Sequence, residues 1–398
     1  MVWGFVPAAF VAYACSSSDS SPSPTEPDSG TSSSSGTTSS SGTTSSSGGP
    51  TDASDDGEAS APACIGNPLV ADGGSGDGGV ILSVDAGDGL RVASASLGAF
   101  IDGPVFTDLY PGGALVYSEV YGPVSGGRIV RLAPDGGVPT EVRPAPDSPG
   151  GPMYVIGNAI RGNVIVTTAT NDPAVDAGTN AGRLIQTLPD GGDAGEIAIS
   201  GSGAKDPNDV VANKDGTVFF TDPLYQSGGT TTGVYKVVGT AVSVVKGYST
   251  ANTPEEHPDG IALSPDEKTL YVGFGAAQRV DRFTIDATGN TTQVNGNFIA
   301  MSDFGDLLPE GMATDVGGNL WITANPEDPN TNGGAVLVFA PDGKKYGEIR
   351  FPNHRPTGIA FGGSDNKTLY VVANQAQLTP GEFNGYVFIY SSRCAGVR

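Results

Sequence analysis

Pro258-Asp259-Gly260-Ile261-Ala262, then a turn at Pro265-Asp266, then Leu270-Tyr271-Val272: this stretch decides the fold, because it recurs. Pro207-Asn208-Asp209-Val210-Val211 leads to Val218-Phe219-Phe220, and Pro309-Glu310-Gly311-Met312-Ala313 leads to Leu320-Trp321-Ile322. Pro356-Thr357-Gly358-Ile359-Ala360 leads to Leu369-Tyr370-Val371, and an earlier copy, Ile101-Asp102-Gly103-Pro104-Val105-Phe106, leads to Leu115-Val116-Tyr117. Each half is a short run of β-branched and aromatic residues, and each break holds Gly, Pro, Asp or Asn, which is the pattern of strands and tight turns rather than of helices.

Between Asp102, Asn208, Asp259, Glu310 and Thr357 the steps are 106, 51, 51 and 47 residues, and 106 is two periods of 53. A degenerate copy is therefore due in the long gap. Gly151-Pro152-Met153-Tyr154-Val155-Ile156 with Val164-Ile165-Val166 occupies that place and makes six. A period near 50 with about four strands per repeat is the signature of a propeller, in which each sheet buries its faces on its neighbours and ring closure protects the edges. The expected fold is all-β, a six-bladed β-propeller over residues 63–398. Phrases such as Arg128-Ile129-Val130-Arg131-Leu132 with Pro134-Asp135-Gly136, and Ala335-Val336-Leu337-Val338-Phe339 with Pro341-Asp342-Gly343, read as outer hairpins.

Residues in the same phase of every blade converge on the propeller axis. Asp102, Asn208, Asp259 and Glu310 gathered there would repel strongly unless a cation neutralises them, and oxygen donors of this kind suit a hard ion, Ca²⁺ before Mg²⁺ or Zn²⁺. Taken singly, each is also the ordinary residue of a turn before a strand.

With these phrases in view, residues from about 95 to 392 resemble the senescence-marker protein, gluconolactonase and luciferin-regenerating enzyme family, the regucalcin-like six-bladed propellers. The resemblance implies metal ligands at Asp102, Asp259 and Glu310, standing where the family usually has Glu, Asn and Asp. It also implies that Asn208 contacts substrate or metal. The activity it implies is divalent-metal-dependent opening of a sugar lactone or similar ester, a small-molecule substrate. Asp259 or Glu310 would accept the proton of the attacking water. Asp209 and His257 are further candidates for substrate contact, each with a bland alternative: a turn hydrogen bond for Asp209, a solvated loop for His257. Asp209 and Asp222 are also lesser candidates for the base, and His257 or His354, each just before an axial phrase, could shuttle protons. Related propellers cleave aryl esters or phosphotriesters, and a non-catalytic, surface-tethered binding propeller with a structural cation is the alternative from another class.

No Gly-x-Ser-x-Gly elbow, phosphate loop or cysteine-histidine zinc spacing is present, which excludes those chemistries. Lys and Arg number 20 against 43 Asp and Glu, a formal charge of −23, so nucleic acid is not an expected partner. Residues 16–62 are almost all Ser, Thr, Gly, Pro and acidic, and are expected to be a disordered linker. The apolar run 1–15 ends Ala14-Cys15 and resembles a lipoprotein signal peptide with lipidation at Cys15, although it also fits a plain leader. It is too short to span a bilayer. The expected product is a monomeric, exported lipoprotein of the bacterial outer membrane or periplasm that touches membrane only through its lipid anchor. Cys64 and Cys394 bracket the folded region and are either a disulfide pair or free thiols.

Overall fold

The computed structural model describes residues 67–69, 80–83, 91–121, 127–148, 151–171, 182–225, 231–249, 256–305, 307–328, 330–376 and 382–397. Residues 1–15, expected to be a signal peptide, the stretch 16–62 expected to be a linker, Cys15 and Cys64 lie outside the described residues.

Six four-stranded antiparallel sheets follow one another around an axis, as the repeat period predicts. Blade 1 runs Phe100–Thr107, Ala114–Tyr121, Arg128–Leu132 and Thr140–Pro144 from axis to rim, and blade 2 runs Tyr154–Arg161, Val164–Thr170, Arg183–Thr187 and Asp193–Ala198. Blade 3 begins at Val210–Ala212, blade 4 at Pro258–Leu263 and blade 5 at Leu307–Thr314. Blade 6 takes three strands from the C-terminus, Arg355–Gly362, Thr368–Ala376 and Phe383–Ser391. Its fourth comes from the N-terminus, Arg91–Ser96, paired antiparallel to the last. This closing strand precedes the first repeated phrase and has no counterpart in it. A further strand, Val80–Ser83, adds in parallel to the rim strand Lys345–Phe351 of blade 5.

The apolar pattern of each strand is explained by what lies on both sides of it. Leu320 to Asn325 in blade 5 are all buried, because the sheet packs on neighbours with both faces. Among the described residues six apolar clusters each join two consecutive blades: Trp321, Val336 and Val338 meet Phe361, Leu369 and Phe388, while Tyr370 of blade 6 stacks on Phe106 of blade 1 at 5.5 Å. The outer hairpins turn at Gly136 and Gly343, with φ of 101° and 90° that an Asp-Gly turn supplies.

At the axis the inner strands touch. At five of the six axial positions the next residue is a glycine, Gly103, Gly157, Gly260, Gly311 or Gly358, while Asp209 follows Asn208; a Cβ on Gly260 would lie 1.8 Å from the carbonyl oxygen of Glu310. A ring of hydroxyls and amides ties one blade to the next. Thr221 Oγ1 donates to Asp259 O at 2.5 Å, and Thr323 Oγ1 lies 3.0 and 3.1 Å from the carbonyls of Gly311 and Thr357. Asn158 Nδ2 donates to Gly103 O at 2.8 Å, and Asn374 Nδ2 to Ile101 O at 2.9 Å. In blade 2 the structure puts Ile156-Gly157 at the axial position. Gly151-Pro152, the start of the degenerate phrase, instead pairs with Asp147–Ser148 in a two-stranded ribbon.

Among the described residues no helix is long and apolar enough to cross a membrane. Cys394 is buried and disulfide-bonded; the chain's other cysteines, Cys15 and Cys64, are outside the described residues. The ring of hydroxyls predicts that Thr323→Val, equal in shape but without a donor, removes the one O–H that the carbonyls of Gly311 and Thr357 share and costs about 1–3 kcal/mol of stability. A lowered midpoint in thermal or urea unfolding is the expected outcome, and a midpoint equal to that of the wild type would show the bridge to be dispensable.

Candidate active site

A cavity of about 450 Å³ runs along the axis, lined by Asp102, Asn208, Asp209, Asp259, Glu310 and Thr357 among others. The repeat phase therefore does bring these side chains together. Each acid is set by its strand: Asp102 follows Ile101, whose N–H is held by Asn374 Oδ1 at 2.8 Å, and its own Oδ1 accepts the N–H of Gly103 at 2.7 Å. Thr357 Oγ1 donates to Ile101 O at 2.9 Å and is buried, so it belongs to the ring as much as to the cavity.

The carboxyls are all pushed upward, first by burial. Asp102 rises to about 6. Asp259 rises to about 7 through burial and then the charge of Asp102. Burial lifts Glu310 to about 8; the nearby Arg355 guanidinium opposes this, and the charges of Asp259 and Asp102 add to it. Asp209 rises to about 8 through burial and the charge of Asp102, opposed by backbone donors. Four acids thus share one confined space, and Arg355 is the cation acting on Glu310. Arg355 is itself buried, with its guanidinium donating to the carbonyls of Pro326, Asp328 and Thr331 at 3.0, 2.8 and 2.7 Å.

The candidates differ in how free their oxygens are. Asp209 Oδ1 accepts Val210 N at 2.8 Å and Oδ2 accepts Ile261 N at 3.0 Å, so this carboxylate clamps blade 3 to blade 4. Asp259 Oδ2 accepts the hydroxyl of Tyr225 at 3.0 Å. His257 is not among the residues lining the cavity: its ring stacks on Tyr225 at 5.8 Å and its Nδ1 contacts the carbonyl of Pro223. Asp222 is fully buried and accepts Lys205 N and Leu224 N, a strand-end role. His354 packs edge-on against Tyr386 and Phe388, away from the cavity.

Sequence reasoning missed Tyr225, Arg355 and Ile156. Tyr225 follows the strand end Asp222-Pro223, with Leu224 at φ 60° turning it inward; an aromatic residue just after such a stop is the only signal for it. Arg355 directly precedes an axial phrase, one residue before its Pro. Ile156 carries no signal, because the degenerate phrase hides its register.

Among the described residues no three His, Cys, Asp or Glu side chains form a ready-made metal cage. The donor set nevertheless fits a hard cation. It consists of oxygen atoms alone, facing one cavity, and burial and mutual repulsion disfavour their charges unless a positive charge joins them.

Comparison with known proteins places this architecture. The family model described as SMP-30/Gluconolactonase/LRE-like region matches residues 110–375. A pentonolactonase from Haloferax volcanii is 28% identical over 170 residues, covering 41% of this chain and 52% of that protein. A gluconolactonase from Zymomonas mobilis is 30% identical over 190 residues, covering 42% and 48%. This chain thus spans about half the length of the curated relatives it matches. A solved gluconolactonase structure from Xanthomonas campestris superimposes with a TM-score of 0.55 at 21% identity, over 76% of this chain and 89% of that one, a likeness of fold.

Raised carboxyl groups fix the sign of a pH effect. Between pH 4 and pH 8 the folded, cation-free protein holds protons that the unfolded chain has released, so its stability falls as pH rises through that window. Melting scans in chelator are expected to lose several degrees from pH 5 to pH 8, and Glu310→Gln to flatten the slope. A melting temperature that instead climbs with pH would mean that these acids are not crowded.

Proposed function

This chain belongs to the SMP-30/gluconolactonase/LRE-like family, and on that premise we propose that it hydrolyses a lactone in the axial cavity. The observation that carries the proposal is geometric: Asp102, Asp259 and Glu310 line one cavity with Asn208, and Asp259 is held by the Tyr225 hydroxyl at 3.0 Å, so that a candidate base and a set of oxygen donors face the same space. The names of the relatives, a pentonolactonase and a gluconolactonase, support the reaction class.

The chemistry asks for a water, a base and a group to protonate the departing oxygen. Asp259, with one oxygen held by Tyr225, keeps the other to draw a proton from water attacking the carbonyl carbon. A new C–O bond forms, the ring acyl C–O bond breaks, and the released alkoxide takes a proton to give the hydroxy acid. Glu310 lines the same cavity and is the second candidate for the proton's carrier. The Tyr225 hydroxyl, itself pushed well above its ordinary range by burial and by the neighbouring Asp259 charge, stays protonated and serves as a fixed donor. Asp102, Asn208, Asp259 and Glu310 would hold one divalent cation, Ca²⁺ by donor type, whose charge would keep these acids ionised and polarise the lactone carbonyl.

Export as a lipoprotein through the leader 1–15 and Cys15 completes the proposal, supported by the disulfide at Cys394, a bond that persists in oxidising compartments.

The direct test is lactone hydrolysis by the full chain, stripped with chelator and resupplied with Ca²⁺, Mg²⁺, Mn²⁺ or Zn²⁺. Activity is expected to vanish with chelator and return with Ca²⁺, and Asp259→Asn is expected to lower kcat by about 10²–10⁴. A bound ion with no turnover of any lactone or ester would favour a binding propeller instead. Tyr225→Phe is expected to lower kcat roughly ten- to a hundredfold, the worth of one hydrogen bond to a charged group. It should change KM little, which separates positioning of Asp259 from loss of substrate binding.

A further inference from the structure

One wall of the cavity differs from the rest. Phe100, Val120, Ile156 and Phe383 form a seventh apolar cluster, with Tyr121, Tyr154 and Ala376 packed against it. Phe100 stacks on Tyr121 at 5.4 Å and meets Phe383 edge-on at 5.2 Å, and Tyr121 lies 5.9 Å from Tyr154. Residues of the other clusters, such as Met312 and Ile261, also line the cavity that holds the acids, but here Phe100, Tyr121 and Tyr154 bring three adjacent aromatic rings to it, with Val120 and Ile156 beside them.

Two local features build this wall. Ile156 is the one axial residue of the six without an oxygen in its side chain, facing the space that Asp102, Asn208, Asp259, Glu310 and Thr357 face from the other blades. In blade 1 the pairing shifts between Phe100 opposite Tyr121 and Ile101 opposite Glu119, which leaves Val120 as an extra residue. Bulges of this kind re-aim side chains, and here both Val120 and Tyr121 line the cavity. The amide of Asn158 and the N–H of Gly157 on this side are already hydrogen-bonded. Asn158 Nδ2 donates to Gly103 O and Ser118 Oγ, and its Oδ1 accepts from Thr167 at 2.6 Å. Gly157 N is taken by Thr168 Oγ1 and Asn208 O.

We infer that this wall is a subsite for a hydrocarbon substituent, so that the preferred substrate is an alkyl- or aryl-substituted lactone rather than a polyhydroxylated sugar lactone. The inference rests on the lactone-hydrolase function proposed above and names the substrate class of that site. A hydroxylated ring pressed against this wall would meet only the hydroxyls of Tyr121 and Tyr154 among otherwise apolar groups, whereas each methylene buried there should gain about fourfold in binding. Asp102 and Phe100 are two residues apart on one strand and both line the cavity, so a ring whose carbonyl lies among the acids has its substituent within reach of the aromatic groups.

Three δ-lactones with the same ring separate the possibilities: δ-valerolactone, unsubstituted; δ-decalactone, with a pentyl group; and glucono-δ-lactone, with hydroxyls. With the full chain and Ca²⁺, δ-decalactone is expected to exceed both others in kcat/KM by at least about tenfold. Tyr154→Ala and Ile156→Asn, with melting scans to confirm folding, are each expected to lower the decalactone-to-valerolactone ratio by roughly fivefold or more. Glucono-δ-lactone preferred, or valerolactone equal to decalactone, would overturn the subsite and leave the lactonase function standing. If no lactone turns over, that function fails by itself and calorimetric binding of two unreactive ketones decides the subsite. 3-Pentylcyclohexanone binding about tenfold tighter than cyclohexanone, and weakened by Tyr154→Ala, would sustain it, and equal binding would overturn it.

Discussion

The structure depends on inner strands that lie in direct contact around one axis. Gly260 fits against the carbonyl of Glu310 because it has no Cβ, and Gly103 and Gly311 fit against Ile156 and Thr357 in the same way. Thr168, Thr221 and Thr323 then satisfy the carbonyls that this contact buries, each reaching from its own blade to the next. The geometry leaves the residue before each glycine no direction but inward. Any oxygen-bearing residue in that place becomes part of a shared cavity, whatever its neighbours in sequence.

That contact also explains the electrostatics. Bringing Asp102, Asp209, Asp259 and Glu310 into one narrow space raises the proton affinity of each, and the fold supplies little to offset it. Asp209 is relieved by two backbone N–H groups, and Glu310 by Arg355, which is in turn anchored to three carbonyls. Among the described residues Asp102 and Asp259 have no such cation. Their crowding works against the stability of the metal-free protein and suits a site that binds positive charge or passes protons, since groups of displaced affinity respond most strongly to either.

The repeat made the fold legible because a propeller must place equal phrases at equal radius, so period and phase alone located five of the six axial residues. The closing strand Arg91–Ser96 was not legible: it is paired by ring closure with a strand almost three hundred residues away and shares no phrase with the repeats. Within the site, the acids could be found from phase, but their roles could not. Asp209 and Asp259 occupy adjacent places in their phrases, and only the partners of their oxygens separate a clamp between blades from a carboxylate held by one tyrosine. Tyr225 sits beyond a strand end and carries no phase, whereas Arg355 has a fixed place before its Pro but shares that place with residues as different as His257 and Leu308, so phase alone could not single it out.

Ile156 shows what such a ring permits. In blade 2 neither the glycine contact nor the threonine bridge involves the axial side chain, so that side chain can be hydrocarbon without disturbing the blades: Gly157 keeps its bond to Asn208 O at 3.1 Å although Ile156 offers no oxygen to the cavity. The scaffold and the chemistry are thus borne by different atoms of the same phrase, backbone for the one and side chain for the other. One apolar residue among six equivalent positions, together with the bulge at Val120, gives the cavity an aromatic side beside an acidic one. A lactone with a polar carbonyl and a hydrocarbon tail has the same division along its length, and this match makes the aromatic wall part of the site as well as part of the core.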